Sequence, residues 1–247
     1  MQYSLSILSL AGLATTVLGH GVITSPPIRT AGAAMTAACG ASVSSQVVAD
    51  PTSHVEGLPE AAAANTTFSA AACNVFLCKG LQFADNQANV QAFTPGQTVN
   101  MLADITIPHE GPMNVSIIDT KTNTAIGQPL ITFTTYADEK LTTLPANNTN
   151  FNVTIPTTLG SACSVAGDCV LQWFWFGTAA VQTYESCVDM TVGAAATTAA
   201  TNATASTNST GAATQSSGLD TSSVSTPLYR GNNAAVGTLG HLRRFRA

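Results

Sequence analysis

The sequence predicts an all-β protein, built as an antiparallel β-sandwich with long loops. Hydrophobic residues alternate with polar or small ones along several short segments, as they do in half-buried strands. Turn residues separate these segments, and helical periodicity is scarce. Short strands that are joined by turns and long loops are typical of a sandwich of two sheets.

Four segments carry the strand pattern. The alternation is clear in residues 99–107, 151–155 and 184–192. Residues 169–176, CVLQWFWF, are apolar on both faces. We therefore expect this fourth strand to lie in the centre of a sheet.

Turns and one short helix are predicted between these strands. Pro95-Gly96 and the Pro-Met-Asn stretch at 112–114 are typical of turns, and residues 59–64 are predicted to form a short helix in a loop. The loop region 40–72 is rich in Ala and Ser and has no aromatic residue before Phe68. No flat aromatic face can be located in this loop region.

The first 19 residues predict a signal peptide. Residues 5–18 form an apolar stretch that is too short to span a bilayer well, and Val17 and Gly19 are suitable small residues for a signal-peptidase site. We therefore expect a secreted protein whose mature chain begins at His20. Six N-x-S/T sequons support a glycosylating secretory route, and they lie at Asn65, Asn114, Asn147, Asn152, Asn202 and Asn208.

The composition changes near the C-terminal end. Residues 193–226 are almost wholly Ala, Thr, Ser, Asn and Gly, which predicts a flexible, O-glycosylated linker. Residues 227–247 are predicted to be a disordered basic tail, with arginines where a glycolipid-anchor signal needs apolar residues. A single folded domain over residues 20–192 and a soluble, extracellular protein are therefore expected.

The charge of the chain argues against several classes of function. Only 9% of the residues are charged and the net charge is −5, whereas binding to nucleic acid or to anionic lipid needs clustered Lys and Arg. We expect a monomer with neither a nucleic-acid nor a membrane partner. The sequence also lacks the nucleophile elbow of a serine hydrolase and a recognisable carboxylate pair for glycoside hydrolysis.

The six cysteines predict disulfides, because an even number in a secreted chain rarely stays reduced. Cys163 and Cys169 close a short local loop, and we predict that they pair. The connectivity of the other four stays open, and these are Cys39, Cys73, Cys78 and Cys187.

Two of the four histidines are candidates for a metal site. His241 lies in the tail and His54 in a loop-like stretch, which leaves His20 and His109. Once cleaved, His20 offers two nitrogen donors, its ring and its α-amine, whose pKa is about 8. The ring of His109, which follows Pro108 at the end of a predicted strand, would complete a set of three nitrogens that favours Cu(II).

Two motifs show a resemblance to a known family. Residues 20–29, HGVITSPPIR, are similar to the opening of lytic polysaccharide monooxygenases of the chitin-binding type-4 kind. Residues 182–187, QTYESC, look like a signature of the fungal members, and the WFWF segment at 173–176 is similar to chitin-active fungal members. The resemblance covers about residues 20–192.

The resemblance implies a copper site on an immunoglobulin- or fibronectin III-like sandwich. His20 would bind copper through its amine and ring and His109 through its ring, with Tyr184 as the axial neighbour and Gln182 as a hydrogen-bonding partner beside the metal. With an external electron donor and O2 or H2O2, such an enzyme oxidises C1 or C4 of a linkage in chitin, cellulose or another β-glucan and breaks the chain.

Several alternatives stay open at this point. The protein would be a copper-binding protein without polysaccharide activity, or a glycan-binding or structural wall protein without a metal site. Tyr184 has the alternation parity of core residues, and Gln182 would fit a surface amide equally well. We expect Arg29 and Glu110 to be structural or solvated rather than catalytic.

Overall fold

The computed structural model describes residues 20–65 and 68–193, which form two β-sheets packed face to face and a helical layer outside one of them. This arrangement confirms the predicted β-sandwich. The predicted signal peptide, nearly all of the predicted linker and the predicted C-terminal tail lie outside the described residues.

The elements follow one another in an order that alternates long strands with loop segments. The strands are β1 (His20–Ser25), β2 (Gln91–Phe93), β3 (Thr98–Ile107), β4 (Gly111–Asp119), β5 (Thr124–Ala125), β6 (Ile131–Tyr136), β7 (Asn150–Thr154), β8 (Cys169–Gly177) and β9 (Gln182–Val192). The helices are α1 (Ala33–Cys39), α2 (Ala41–Ala49), α3 (Leu58–Ala63) and α4 (Ala146–Thr149), with 3-10 turns at Cys78–Gly80, Phe83–Asp85 and Gln87–Asn89.

The two sheets differ in size. The small sheet has the order β1-β3-β7, with antiparallel pairs throughout. The large sheet has the order β2-β9-β8-β4-β5, and β6 also pairs with β4. The predicted central strand is β8, which pairs with both β4 and β9 and is buried on both faces.

The core between the sheets is rich in large side chains. Met101 and Phe151 of the small sheet face Met113, Trp173 and Trp175 of the large one, and all five are almost fully buried. Burial of this apolar area is the main term that holds the two sheets together.

A second apolar cluster covers the opposite face of the large sheet. We call residues 33–65 and 68–89 the helical cover. Its helices bury Met35, Val43 and Leu58 against Val170 of β8 and neighbouring residues. Two disulfides secure it, Cys39–Cys73 within the cover and Cys78–Cys187 to the large sheet. The predicted Cys163–Cys169 disulfide is confirmed.

The helical cover was predicted only in part. The short helix expected at 59–64 is confirmed as α3, but α1 and α2 were expected to be loop. Each of these two helices has a narrow buried face of one or two residues per turn, as with Val43, Ser44 and Val47 in α2. Among the described residues, no helix is long and apolar enough to cross a membrane.

The turn predicted at 112–114 is wrong, because these residues belong to β4. Pro112 lies where the pairing with β6 shifts register, between Gly111 and Met113. A proline is tolerated at such an irregularity since no ladder hydrogen bond is needed from its nitrogen. The turn at Pro95-Gly96 is confirmed, and Gly96 has a φ of +81° there.

Candidate metal centre

The pairing of β1 with β3 brings His20 and His109 to the same end of the small sheet. His20 lies opposite Ile107, and His109 comes two residues after Ile107. The hydroxyl of Thr106 also donates to the carbonyl oxygen of His20, at 3.4 Å. The first residue of the predicted mature chain and the second candidate histidine are therefore neighbours, although they are far apart in sequence.

The backbone and the Cβ of His109 are held by neighbouring residues, whereas one of its ring nitrogens has no hydrogen-bond partner in the described part of the chain. The indole Nε1 of Trp175 donates to the carbonyl oxygen of His109 at 3.1 Å. A Cβ at Gly177 would lie only 2.9 Å from the Cβ of His109, so glycine is needed for this close approach. The Nε2 of His109 is buried and has no hydrogen-bond partner among the described residues. An unsatisfied buried nitrogen is costly, and a metal ion would satisfy it.

Tyr184 belongs to the same region, where it is fully buried and stacked on Trp175. The two ring centroids are 4.4 Å apart, and the Tyr184 hydroxyl donates to Oε1 of Gln182 at 2.7 Å. Burial raises the pKa of Tyr184, and the carboxylates of Glu56 and Asp50 raise it further. Tyr184 therefore stays a neutral phenol, which makes it a weak ligand at most.

Trp175 connects the elements of the site. Besides its contacts with His109 and Tyr184, its ring faces Gly21, where an added Cβ would lie 3.0 Å from the indole. A side chain at position 21 would push the start of β1 away from the indole. The glycine after His20 thus has a packing reason of its own.

A loop of the helical cover forms the other wall of the site. We call residues 50–56 the site loop. The Nε2 of His20 lies 2.7 Å from Oδ2 of Asp50, and the amide of Gly21 donates to the carbonyl oxygen of Thr52 at 3.1 Å. Glu56 accepts a hydrogen bond from the amide of Thr183 at 2.8 Å. The site loop therefore contacts both β1 and β9.

His54 belongs to the site loop and was set aside in the sequence. Its ring stands edge-on to Tyr184 with 6.4 Å between the centroids. Its Nδ1 lies 3.3 Å from Oε2 of Glu56, without the geometry of a hydrogen bond. Neither its spacing nor its neighbours in sequence signal this position, because the site loop reaches Tyr184 only through the folded cover.

Arg29 and Glu110 were expected to be structural or solvated rather than catalytic. Each of the two side chains forms an ion pair. Arg29 is buried and donates to Asp189 through Nε and Nη2, at 2.8 and 2.7 Å, and to the carbonyl oxygen of Leu81. Glu110 is paired with the exposed Lys140 at 2.7 Å.

A family model described as "Lytic polysaccharide mono-oxygenase, cellulose-degrading" matches residues 20–190. The chain belongs to this family. The match begins at His20 and covers the helical cover, the site loop and all of the sandwich except the last two residues of β9. The resemblance seen in the sequence is confirmed at the level of the lytic polysaccharide mono-oxygenases, whereas the fungal subtype stays a prediction.

Several solved structures are similar to the chain at low identity. A lytic polysaccharide monooxygenase of Jonesia denitrificans is 20% identical, with a TM-score of 0.36 over 70% of this chain and 100% of that one. A chitin-binding domain from Burkholderia pseudomallei is 16% identical, with a TM-score of 0.42 over 71% and 100%. A cellulose-active lytic polysaccharide monooxygenase in complex with copper is 14% identical, with a TM-score of 0.39 over 71% and 100%. No curated protein matches the chain.

In this mono-oxygenase domain, the geometry brings all four predicted site residues to one region. His20 and His109 lie at the same end of the small sheet, and Gln182 and Tyr184 lie at the start of β9. In residues 20–65 and 68–193, no group of three or more His, Cys, Asp or Glu side chains is arranged to hold a metal. The predicted donor set of two imidazoles and an N-terminal amine is of a different kind, and the buried Nε2 of His109 is compatible with it.

Proposed function

We propose that the mature protein begins at His20, is secreted, and acts as a copper-dependent mono-oxygenase that cleaves a β-linked polysaccharide. The observation that carries this proposal is the buried Nε2 of His109, which has no hydrogen-bond partner among the described residues and belongs to a residue two positions beyond the one that pairs with His20. Membership of the lytic polysaccharide mono-oxygenase family supports copper-dependent oxidation of a polysaccharide in general.

His20 and His109 would hold the copper. An amine and the Nδ1 of the same histidine close a six-membered chelate ring with a metal, whereas Nε2 points away from the amine. In this protein Nε2 of His20 faces Asp50, so Nδ1 is the nitrogen suited to chelation. Three nitrogens of this kind favour Cu(II) among the common divalent metals.

Tyr184 and Gln182 would shape the space beside the metal. The Tyr184 hydroxyl is committed to Gln182 and stays protonated, so it would limit access along one direction without contributing a negative charge. Gln182 is only half-buried. Its role as a hydrogen-bonding partner beside the metal is the one that the family resemblance implies.

Copper, when bound, would supply the redox chemistry that oxidises a C–H bond of the glycosidic linkage, with an external electron donor and O2 or H2O2. Chitin, cellulose or another β-glucan would be the substrate.

The sequons at Asn147 and Asn152 are exposed and suited to glycosylation, while Asn114 lies in a strand between β6 and β8.

One observation favours a second function, copper binding without polysaccharide oxidation. Among the described residues, Phe76 is the only aromatic side chain with large exposure, and it lies in the turn between Cys73 and Cys78. Sugar rings are commonly bound by several exposed aromatic faces, and the described part of the chain presents only this one. A role in copper acquisition or in the cell wall would not need such a face.

The test begins with the intact mass of the secreted protein, which must match a chain that starts at His20. Copper titration should then give one tightly bound ion in the wild type and in His241→Ala, and greatly weakened binding in His109→Ala. Incubation with chitin or cellulose and ascorbate should release oxidised oligosaccharides only from the copper-loaded wild type and His241→Ala. Tight copper binding without products would favour the second function. A different N-terminus or no copper binding would refute the proposal.

A further inference from the structure

The imidazole of His20 already has a carboxylate partner. Its Nε2 lies 2.7 Å from Oδ2 of Asp50, a distance typical of a strong, charge-assisted hydrogen bond. The His20 side chain is 19% exposed and that of Asp50 38%. The contact therefore lies at the rim of the site, where one face of Asp50 still meets solvent.

Asp50 is itself firmly oriented. Its other oxygen, Oδ1, accepts hydrogen bonds from the amide and the hydroxyl of Thr52, at 2.9 and 2.5 Å. Its backbone ends α2, with its amide donating to Gln46 at 3.1 Å. With one carboxylate oxygen fixed by Thr52, the second is aimed at His20.

The site loop around Asp50 is anchored from both sides. The carbonyl oxygen of Pro51 accepts a hydrogen bond from Nζ of the buried Lys79 at 2.9 Å. The carbonyl oxygen of Thr52 accepts one from the amide of Gly21, the residue after His20. The position of Asp50 relative to His20 is thus set by the helical cover and by β1 together.

We propose that Asp50 is a positioning residue for the metal centre, which fixes the His20 ring with its hydrogen on Nε2 and its lone pair on Nδ1. This inference rests on the proposed function, since it assigns the chelating nitrogen of His20. A carboxylate behind a metal-binding histidine fixes the tautomer and the ring orientation and makes the ring a stronger donor. Asp50 acts through His20 and does not itself bind the metal.

Asp50→Asn and Asp50→Ala test this role against Asp104→Asn. The asparagine keeps the shape of Asp50 and an acceptor oxygen but removes the charge, while the alanine removes both. Asp104 is exposed on β3 opposite Val22, so its variant removes the same charge two residues along β1 from His20. Copper affinity, the Cu(II) electron paramagnetic resonance spectrum and the melting temperature of the copper-free protein are measured for all four proteins.

We expect copper affinity to fall by about 10–100-fold in Asp50→Ala and by less in Asp50→Asn, because loss of such a partner usually costs that much. The Cu(II) spectrum should change in the same order, and both readouts should stay at wild-type values in Asp104→Asn. The copper-free melting temperatures show whether each variant is folded. If Asp50→Ala does not fold, Asp50→Asn alone provides the test.

The outcomes separate the two proposals. Wild-type affinity and an unchanged spectrum in folded Asp50→Asn and Asp50→Ala, while His109→Ala loses copper, would overturn the role of Asp50 alone. Equal losses in Asp50→Asn and Asp104→Asn would also overturn it, because the effect would then come from net charge. A wild type that binds no copper would overturn the proposed function and this inference with it.

Discussion

The two sides of the candidate site are built by different forces. On the sandwich side, His109 is held by packing against Gly177 and by the indole of Trp175, in a core of large apolar side chains. On the cover side, His20 meets Asp50 in a loop that is tied down by polar contacts, a buried lysine and disulfides.

This difference predicts how each side responds to change. Packing depends on shape, and it is nearly indifferent to pH and to the redox state of the surroundings. Ion pairs depend on pH, and disulfides depend on the redox state of the surroundings. One half of the site should therefore be insensitive to solution conditions, and the other half should follow them.

The largest effect is expected from Trp175→Ala on the sandwich side. It removes the stack with Tyr184, the contact with Gly21 and the hydrogen bond to His109, and it leaves a cavity. We expect the free energy of unfolding to fall by about 3–5 kcal/mol, as measured by chemical denaturation. Phe174→Ala, on the half-buried face of the same strand, should cost clearly less. Equal losses in both variants would contradict the central role of Trp175.

The next effect is expected from removal of the Cys78–Cys187 disulfide in the double variant Cys78→Ala/Cys187→Ala. This bridge joins the helical cover to the large sheet and spans 109 residues, whereas Cys163–Cys169 spans only 6. Because longer closed loops restrict the unfolded chain more, we expect a loss of about 2–4 kcal/mol. The matched Cys163→Ala/Cys169→Ala variant should lose less in the same denaturation experiment. The reverse order would show that the sheet does not need its link to the cover.

A third effect is a pH dependence carried by Glu185. Burial raises the pKa of Glu185 to about 8, and nearby Lys79, whose own pKa burial lowers, offsets this only in part. Since the folded protein holds this proton more tightly than the unfolded chain, the stabilisation is complete below the ordinary pKa and is lost as pH rises towards about 8.

Glu185→Gln removes this titratable carboxyl group and should flatten the dependence of stability on pH. Between about pH 5 and about pH 8, the wild-type melting temperature should fall by several degrees relative to that of Glu185→Gln. Glu60→Gln, which removes the carboxylate in the first turn of α3, is the control and should follow the wild type. Parallel profiles of wild type and Glu185→Gln would indicate that Glu185 is ionised throughout this range.

The sandwich could be predicted because its strands carry their own pattern. The alternation at 99–107, 151–155 and 184–192 and the apolar run at 169–176 correspond to β3, β7, β9 and β8. The strands β3 and β7 bury one face each, so period-two spacing is written into their residues, whereas the continuous apolar run of β8 reflects burial on both faces.

The helical cover could be predicted only poorly because its stability comes from outside its own sequence. The helices α1 and α2 bury one or two residues per turn, and disulfides and buried charges supply the rest. Asp50 and His54 reach the site only through this fold. Nothing in their spacing to His20 or Tyr184 signals these contacts, whereas His20 and Tyr184 were found through motifs.

The placement of Gly21 has a consequence for how the protein is made. Its amide is bonded to Thr52 and its Cα faces Trp175, so the residues beside the proposed cleavage point are enclosed once β1 pairs with β3. A peptidase needs an extended, accessible segment on both sides of the bond that it cuts. If the proposed leader is cut after Gly19, its removal would therefore have to precede docking of β1, and a chain that folded first would lack the free amine of the proposed copper site.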